Sequence, residues 1–427
     1  MEHTVDIKKV VAGGKGLGRL ANGQAVLVAG ALPDESVVVR ETRQHRSYVE
    51  AEVVRITQAS PDRVQPPCSY YGHCGGCDLQ HAAYPAQLLI KQQILGESLQ
   101  RAHLSLPHDF QPTLASPQPF AYRYRIRLHL DGAGQLGFHR IASNAVVPIR
   151  HCLLATEPIN RVLSVLCESD WPQRLARQVS ALELIHNPAD GRVILVLHPT
   201  RGISTDSSLP TQMAGLADGV VILGQSTAPS SSRGIFLSQH FSPRGLDYRL
   251  AWDHRCFFQV NSQQNARLIE LALALLPLHP NPLTVLDLFC GIGNFSIPMA
   301  LRGARVTGVE HNRRSIHWAE ENSRRAGLTT TCFVAADVER QVHTLVRQKA
   351  RFDCILLDPP RQGLGKTAVL LAHLTPDQII SISCDPATLA RDLALITACG
   401  YQLTRLIPVD MFPQTHHIES IGLLERN

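Results

Sequence analysis

Apolar residues in this chain follow three different patterns. Between residues 284 and 383 they form short uninterrupted runs: Thr284–Phe289, Arg305–Val309, Thr331–Ala335, Cys354–Leu357 and Gln378–Ser383. Such runs predict the buried strands of an open α/β sheet. The first stops at Cys290-Gly291-Ile292-Gly293, and a helical pattern follows through Phe295, Ile297, Pro298 and Ala300 to Gly303. Tyr122–Leu130 alternates instead. Arg123, Arg125 and Arg127 are expected on one face, and Tyr124, Ile126, Leu128 and Leu130 on the other. Gln135–Arg140, Ala145–Ile149, Leu182–His186 and Arg192–Leu197 read as further strands, so the middle of the chain is expected to be mostly β. Near the start, Gln24–Ala29, Ser36–Arg40 and Tyr48–Ile56 predict a small β domain, with Gly13–Arg19 as a flexible basic turn. Two helices stand out. Tyr84–Ala102 carries Pro85 in its first turn, and Ser262–Leu276 is capped by Asn261 or Ser262. Gly202–Gly234, rich in Ser, Thr and Pro outside Val220–Leu223, reads as loop around one strand.

These patterns divide the chain into a small β domain (1–57), a β-rich central domain (58–245) and an α/β domain (246–427). The length of 427 residues accommodates all three. Lys and Arg number 41 against 36 Asp and Glu, and the net charge of +5 permits nucleic-acid binding without requiring it. Met1–Lys9 has no apolar core, so no signal peptide is expected. The most apolar stretch, Leu268–Leu278, is short and holds Glu270 and Pro277, so it reads as a buried helix and not a membrane span. The expected location is the cytoplasm. Eleven cysteines then argue for metal or catalytic use rather than disulfides.

Ligands of open α/β sheets bind beyond the carboxyl ends of the strands, near the first βα turn. Gly291 and Gly293 let the backbone approach a ligand there, and Glu310, ending the next strand, can accept ribose hydroxyls. A dinucleotide fingerprint wants a third glycine where Ser296 stands, so another nucleoside cofactor is favoured. A second cluster lies at Cys68, Cys74 and Cys77, spaced C-x5-C-x2-C, with Gly75 and Gly76 to let the loop wrap. With Cys152 as a distant fourth thiol, either tetrahedral zinc or a [4Fe–4S] centre fits. The arginine face of 122–130 could line an RNA path or guard an edge strand.

Three motifs together carry a family resemblance: Asp287–Gly293 (DLFCGIG), Asp358-Pro359-Pro360-Arg361, and Ser381–Pro386 (SISCDP). They resemble the S-adenosylmethionine-dependent methyltransferases of nucleobases, and the third narrows this to the uracil-C5 RNA methyltransferases. Pro413–Glu419 (PQTHHIE) matches the family's P-x-T-x-H-(V/I)-E. The N-terminal β domain resembles the TRAM domain, an OB-like barrel that binds RNA. The C-x5-C-G-G-C run resembles that of the family's cluster-containing 23S rRNA branch. The tRNA position-54 enzymes lack these cysteines, and the 23S position-747 enzymes lack the barrel.

The resemblance spans nearly the whole chain and implies a class I methyltransferase (Rossmann-like) catalytic domain. The nucleophile would be Cys384, adding to uracil C6. The base would be Glu419, with His417 as second candidate. Gln259, Phe289, Asn294, Glu310, Asp337 and Asp358 would contact S-adenosylmethionine. A [4Fe–4S] cluster would sit on Cys68, Cys74, Cys77 and Cys152, and the helix at 84–102 would lean on the catalytic domain. The implied partner is 23S ribosomal RNA, with no DNA and no membrane, and the protein is expected to be a monomer. Without the resemblance, Asp337 reads as a turn residue and Cys384 as a core thiol. Cys290, Cys332, Cys354 and Cys399 read as core thiols in either case. A cofactor- and RNA-binding protein without turnover is the competing reading, and the intact Cys384 and Glu419 argue against it.

Overall fold

The computed structural model describes residues 2–224, 236–277 and 282–427. Residues 225–234 of the Ser-rich stretch, and Leu278, lie outside them. The first unit is a six-stranded sheet of β1 (Glu2–Asp6), β2 (Lys9–Val11), β3 (Lys15–Arg19), β4 (Ala25–Ala29), β5 (Ser36–Gln44) and β6 (Tyr48–Gln58), in the order β1-β5-β6-β4-β3-β2. The expected flexible turn shrinks here to Gly13 and Gly14, because Lys15–Arg19 is a strand. Its glycines serve close packing: a Cβ on Gly18 would meet Val5 Cγ1 at 2.3 Å. The sheet therefore curls onto itself around Val5, Val26, Val28, Val37, Val39 and Val49.

Helix α1 (Tyr84–Arg101) and the short strand β7 (Asp109–Phe110) come next. A second six-stranded sheet follows. It comprises β8 (Arg125–Leu130), β9 (Leu136–His139), β10 (Val146–Pro148), β11 (Val179–His186), β12 (Val193–Pro199) and β13 (Gly219–Ile222). Inserted between these strands are α2 (Glu157–Glu168), α3 (Trp171–Leu175) and α4 (Leu209–Gln212). The middle of the chain is thus not purely β. The α2 helix starts after an extended Thr156, has Pro158 in its first turn, and buries Ile159, Leu163 and Leu166 at helical spacing. A hairpin, β14 (Phe236–Phe241) with β15 (Tyr248–Asp253), then leads to the last unit.

That unit alternates helix and strand: α5 (Ser262–Leu275), β16 (Thr284–Leu288), α6 (Ser296–Leu301), β17 (Arg305–Glu310), α7 (Arg313–Arg325), β18 (Thr331–Ala335), α8 (Val338–Arg347), β19 (Cys354–Leu357), α9 (Thr367–Leu371), β20 (Gln378–Ser383), α10 (Pro386–Thr397), β21 (Tyr401–Val409) and β22 (Glu419–Arg426). Its eight-stranded sheet has the order β18-β17-β16-β19-β20-β22-β21-β7. Strands β16 to β20 are parallel, and β22 is inserted antiparallel between β20 and β21. The order reverses between β16 and β19, which is where open α/β sheets hold their ligands. The strands at this centre are buried on both faces, which is why their sequences run apolar without alternation. On the edge strand β18, by contrast, Cys332 is exposed and is not the core thiol expected.

Helix α1 belongs physically to this last unit. Leu95 and Leu99 join the core formed by Leu286, Leu288, Ile355 and Ile379, and β7 pairs with β21 at the sheet edge. Lys91 of the same helix is fully buried, with Nζ 2.5 Å from Asp410 Oδ1 and 3.0 Å from the Phe412 carbonyl. Tyr84 OH donates to the other Asp410 oxygen at 2.8 Å. Burial pulls the Lys91 pKa below its ordinary value, and the Asp410 carboxylate opposes this. Asp410→Ala would strand the ammonium in the core. It is expected to cost about 3–5 kcal/mol, read as an earlier urea midpoint, with part of the loss recovered when Lys91→Met is added. An unchanged midpoint in the single variant would show that this pair does not hold α1 to the sheet.

Candidate active site

Strand β20 ends at Ser383, and α10 begins with Asp385 as its N-cap, its side chain accepting from Thr388 N at 2.8 Å. Cys384 occupies the one-residue step between them. Ser383 pairs with Ser420 in the antiparallel β20–β22 ladder. Continuing that register by one residue sets Cys384 against Glu419, the first residue of β22. Ser420 Oγ also donates to the Ser383 carbonyl at 3.2 Å. Asp358 and Arg361, just beyond β19, face the same place and act electrostatically on both side chains.

The electrostatics of this rim are dominated by burial. Burial pushes the Cys384 thiol up to about 11, the Glu419 carboxylate adds to the rise, and Arg361 opposes it. Glu419 is 3% exposed, and burial together with Asp358 raises its carboxyl well above the usual range. Asp358 itself is raised to about 7 by burial and by Glu310. Asp287, beneath them, is raised to about 7 by burial, with Asp358 and Glu310 contributing and Ser296 opposing. Carboxyl groups thus crowd a site with Arg361 as their cationic neighbour, an environment that favours a positively charged ligand. His417 behaves in the opposite way: burial, His416 and Arg361 lower its pKa to about 4. It is therefore a weak base at neutral pH, and Glu419 the stronger candidate.

Beside this rim lies an open cavity, lined among others by Gln239, Gln259, Asn265, Phe289, Asn294 and Asp358. Phe289 takes a left-handed φ of 65°, and Gly291 and Gly293 follow with 54° and 87°. The chain thus turns sharply off β16 and presents backbone to the cavity. The Asn265 and Asn294 amides bond each other at 2.9 and 3.0 Å. Ser296, the residue that breaks the dinucleotide fingerprint, donates its hydroxyl to buried Asp287. Glu310 ends β17, and one of its oxygens accepts from Asn312 N at 2.8 Å. Asp337 is apart from the cavity lining: it is exposed and caps α8 by accepting from Arg340 N at 3.0 Å.

The cysteine loop packs against β9 of the central unit. Cys74 N donates to the Tyr70 carbonyl at 2.9 Å, and Gly75 N donates to the His139 carbonyl at 2.9 Å, tying the loop to β9. A Cβ on Gly75 would stand 3.1 Å from that carbonyl oxygen, a tight approach. Gly76 N points at Cys74 Sγ, 3.4 Å away. Cys152 is held from the central unit by Asn160, which accepts from its N–H at 2.9 Å and donates to its carbonyl at 3.0 Å. Burial raises the thiols of Cys74, Cys77 (to about 12) and Cys152, and each is raised further by other thiols of the four. Among the described residues no group of three or more His, Cys, Asp or Glu is arranged as it stands to hold a metal ion. The donor set nevertheless suits a soft metal centre: four thiols facing one another electrostatically, with an N–H already aimed at sulfur.

Arg123 is the residue that alternation misplaced. It lies outside β8, bridges Ala155 and Asn261 through its backbone, and its guanidinium lowers the Cys74, Cys77 and Cys152 thiols. Arg125 is engaged as well, forming a two-point ion pair with Glu183 at 2.6 and 3.0 Å. That pairing and His198 hold Glu183 down to about 2 against the effect of burial. Of the three arginines, Arg127 is the one left exposed. Sequence reasoning also passed over Arg361 as an electrostatic partner of Cys384, although it stands in the D-P-P-R motif itself.

Comparison with known proteins agrees with this geometry. The TRAM domain model matches residues 2–54, and the tRNA (Uracil-5-)-methyltransferase model matches residues 235–427. The chain is 36% identical over 413 residues to a 23S rRNA (uracil(1939)-C(5))-methyltransferase of Shewanella amazonensis, covering 94% of this chain and 91% of the relative. It is 34% identical to the Pseudomonas putida enzyme of the same description, covering 99% and 94%. In fold it is similar to the Pyrococcus abyssi tRNA (uracil-54, C5)-methyltransferase, solved with S-adenosyl-L-homocysteine. There the TM-score is 0.75 at 23% identity, covering 98% and 99% of the two chains. A cofactor cavity at the sheet's switch point, a thiol and a carboxyl set side by side at its rim, and relatives matched from end to end lead to one assignment: the chain belongs to the family of 23S rRNA uracil-C5 methyltransferases, RNA-modifying enzymes dependent on S-adenosylmethionine.

Proposed function

We propose that this protein forms 5-methyluridine at position 1939 of 23S rRNA, acting as a monomer in the cytoplasm, with Cys384 as nucleophile and Glu419 as base. The target position follows the names of its relatives. The observation that carries the catalytic roles is the β20–β22 register, which sets the two side chains against each other beside the cavity. No helix among the described residues is long and apolar enough to cross a membrane. The barrel (1–57) is assigned to RNA binding, 58–245 to the central unit and 246–427 to catalysis.

Uracil C5 becomes nucleophilic once a thiolate has added at C6, and this is the task of Cys384. S-adenosylmethionine, when bound, supplies a methyl group activated on a cationic sulfonium, which the crowded carboxyl groups of this site favour. Gln259, Phe289, Asn294 and Asp358 line the cavity that would take it. Glu310 would hold the ribose with the carboxylate oxygen not used by Asn312. Asp337 would lie toward the adenine edge. After methylation the C5 proton must leave, and Glu419 accepts it so that the C5–C6 double bond re-forms and the Cys384 thiolate departs. His417, its pKa lowered to about 4 by burial, is the weaker proton acceptor, and Glu419 takes the role in its ionised form. A base within folded rRNA must be flipped out to reach this rim.

Cys68, Cys74, Cys77 and Cys152 are assigned to a [4Fe–4S] cluster. Methyl transfer from a sulfonium needs no electron, so the role assigned to the cluster is structural or RNA-binding. Anaerobically purified protein is expected to be brown and to carry iron and sulfide in equal amounts. Stoichiometric zinc without sulfide would sink the assignment.

The catalytic roles predict opposite failures. Cys384→Ala should form neither product nor covalent RNA. Glu419→Gln should allow addition and methylation but slow elimination by about a hundred- to ten-thousandfold, so that a denaturation-resistant protein–RNA band accumulates. Normal turnover in Glu419→Gln, or a band in Cys384→Ala, would reverse the assignment.

The thiol's environment gives a third expectation. Without ligands, alkylation of Cys384 by iodoacetamide, followed by peptide mass spectrometry, should speed up about tenfold per pH unit from pH 7 to 9, since the thiolate is the reacting form. A rate already flat across this range would show that the thiol is ionised and not raised by burial.

A further inference from the structure

Glu419 enters β22 from a loop, 410–418, that makes few bonds of its own. Thr415 is held by the Phe412 carbonyl, and His417 N reaches Thr415 Oγ1 at 3.3 Å. Gln414 sits at a left-handed φ of 69°, a conformation that non-glycine residues rarely hold without outside support. That support comes from the far end of the sequence. Gln87 Oε1 accepts from Gln414 N at 3.0 Å, and Asp78 N and Leu79 N donate to the Gln414 carbonyl at 3.1 and 3.0 Å.

Asp78 adds a second grip. Its Oδ1 accepts from His416 N at 2.7 Å, and its Oδ2 bonds His416 Nδ1. One carboxylate thus takes both the backbone and the ring of a residue three positions before Glu419. Asp78 is also the residue after Cys77, so it leaves the cysteine loop directly. On its other side it abuts the barrel: a Cβ on Gly14 would stand 3.0 Å from Asp78 Cγ. Barrel, cysteine loop and base-bearing loop meet at this side chain.

We propose that Asp78 is a positioning residue for the methyltransferase reaction: through His416 and the Gln414 backbone it holds the 410–418 loop so that Glu419 stands where the C5 proton leaves. The inference rests on the reading of Glu419 as the base. It assigns the cysteine loop a mechanical part in the late half of the reaction, proton removal and release of Cys384, and no part in cofactor binding or in the first addition. Displacing a reacting group by about 1 Å can cost on the order of a hundredfold in rate, so a loosened loop is enough to stall elimination.

The test uses full-length, metal-loaded protein with Asp78→Ala and Asp78→Asn, and Glu419→Gln as control. Asp78→Ala should lower turnover on 23S rRNA roughly ten- to a hundredfold, with iron content and KM for S-adenosylmethionine unchanged. The denaturation-resistant RNA adduct should accumulate as in Glu419→Gln. Amide hydrogen exchange across 412–418 should quicken, while α5 and β16 exchange as in the parent. Asp78→Asn keeps an acceptor for His416 N and should recover part of the turnover. Unchanged exchange across 412–418 in Asp78→Ala would overturn the proposal. So would a loss of turnover accompanied by weakened cofactor binding and no adduct, which marks a general structural role. If Glu419→Gln itself gives no adduct, the base assignment falls and the catalytic half of this inference with it; hydrogen exchange then still decides whether Asp78 holds the loop.

Discussion

The chemistry of this protein depends on one backbone register. Strand β22 runs antiparallel to β20, with Ser383 opposite Ser420, and so the residue after one strand meets the residue that opens the other. A slip of one residue would turn every side chain of β22 to the opposite face and separate Glu419 from Cys384. The register is secured by burial: Ile379, Ile380 and Ile382 on β20, and Ile421 and Leu424 on β22, are all fully buried. The same burial has a consequence for reactivity. It raises both the thiol and the carboxyl, leaving a site that gains from a cationic ligand.

The remainder of the molecule reaches this rim through contacts distant in sequence. Lys91 and Tyr84 grip Asp410 at the start of the base-bearing loop, and Tyr122 OH donates to the Pro413 carbonyl at 3.0 Å. The barrel joins through Val10 and Leu32, which pack with Leu79, Ile90 and Ile94 in one small core. A truncation that removes the barrel therefore uncovers apolar surface on α1 as well as deleting an RNA-binding unit. The three units are less separable than their order along the chain suggests.

Strands β19 and β20 have the bounds read from sequence, because a strand buried on both faces needs an apolar residue at every position and little else looks like that; the edge strand β18 has the bounds read as well, although none of its residues is fully buried. Motif resemblance singled out Cys384 and Glu419, and spacing singled out Cys68, Cys74 and Cys77. What stayed hidden depends on long-range geometry. Arg123 alternates as a strand residue should, yet the strand starts two residues later and its side chain turns to the thiols. Asp337 matches a family position but caps a helix with the same carboxylate. Helix α2 was overlooked among strands although Pro158, Ile159, Leu163 and Leu166 carry a helical signal. Asp78 has no local signature, since its partners lie more than three hundred residues away.

The central claim is that this rim methylates uracil C5 in 23S rRNA, and nucleoside mass spectrometry of the RNA product tests it most directly. Purified protein, labelled S-adenosylmethionine and unmodified 23S rRNA should yield labelled 5-methyluridine in the one fragment containing position 1939, with unmodified tRNA left unlabelled. Label appearing in tRNA, at another 23S uracil, or on an atom other than C5 would contradict the account.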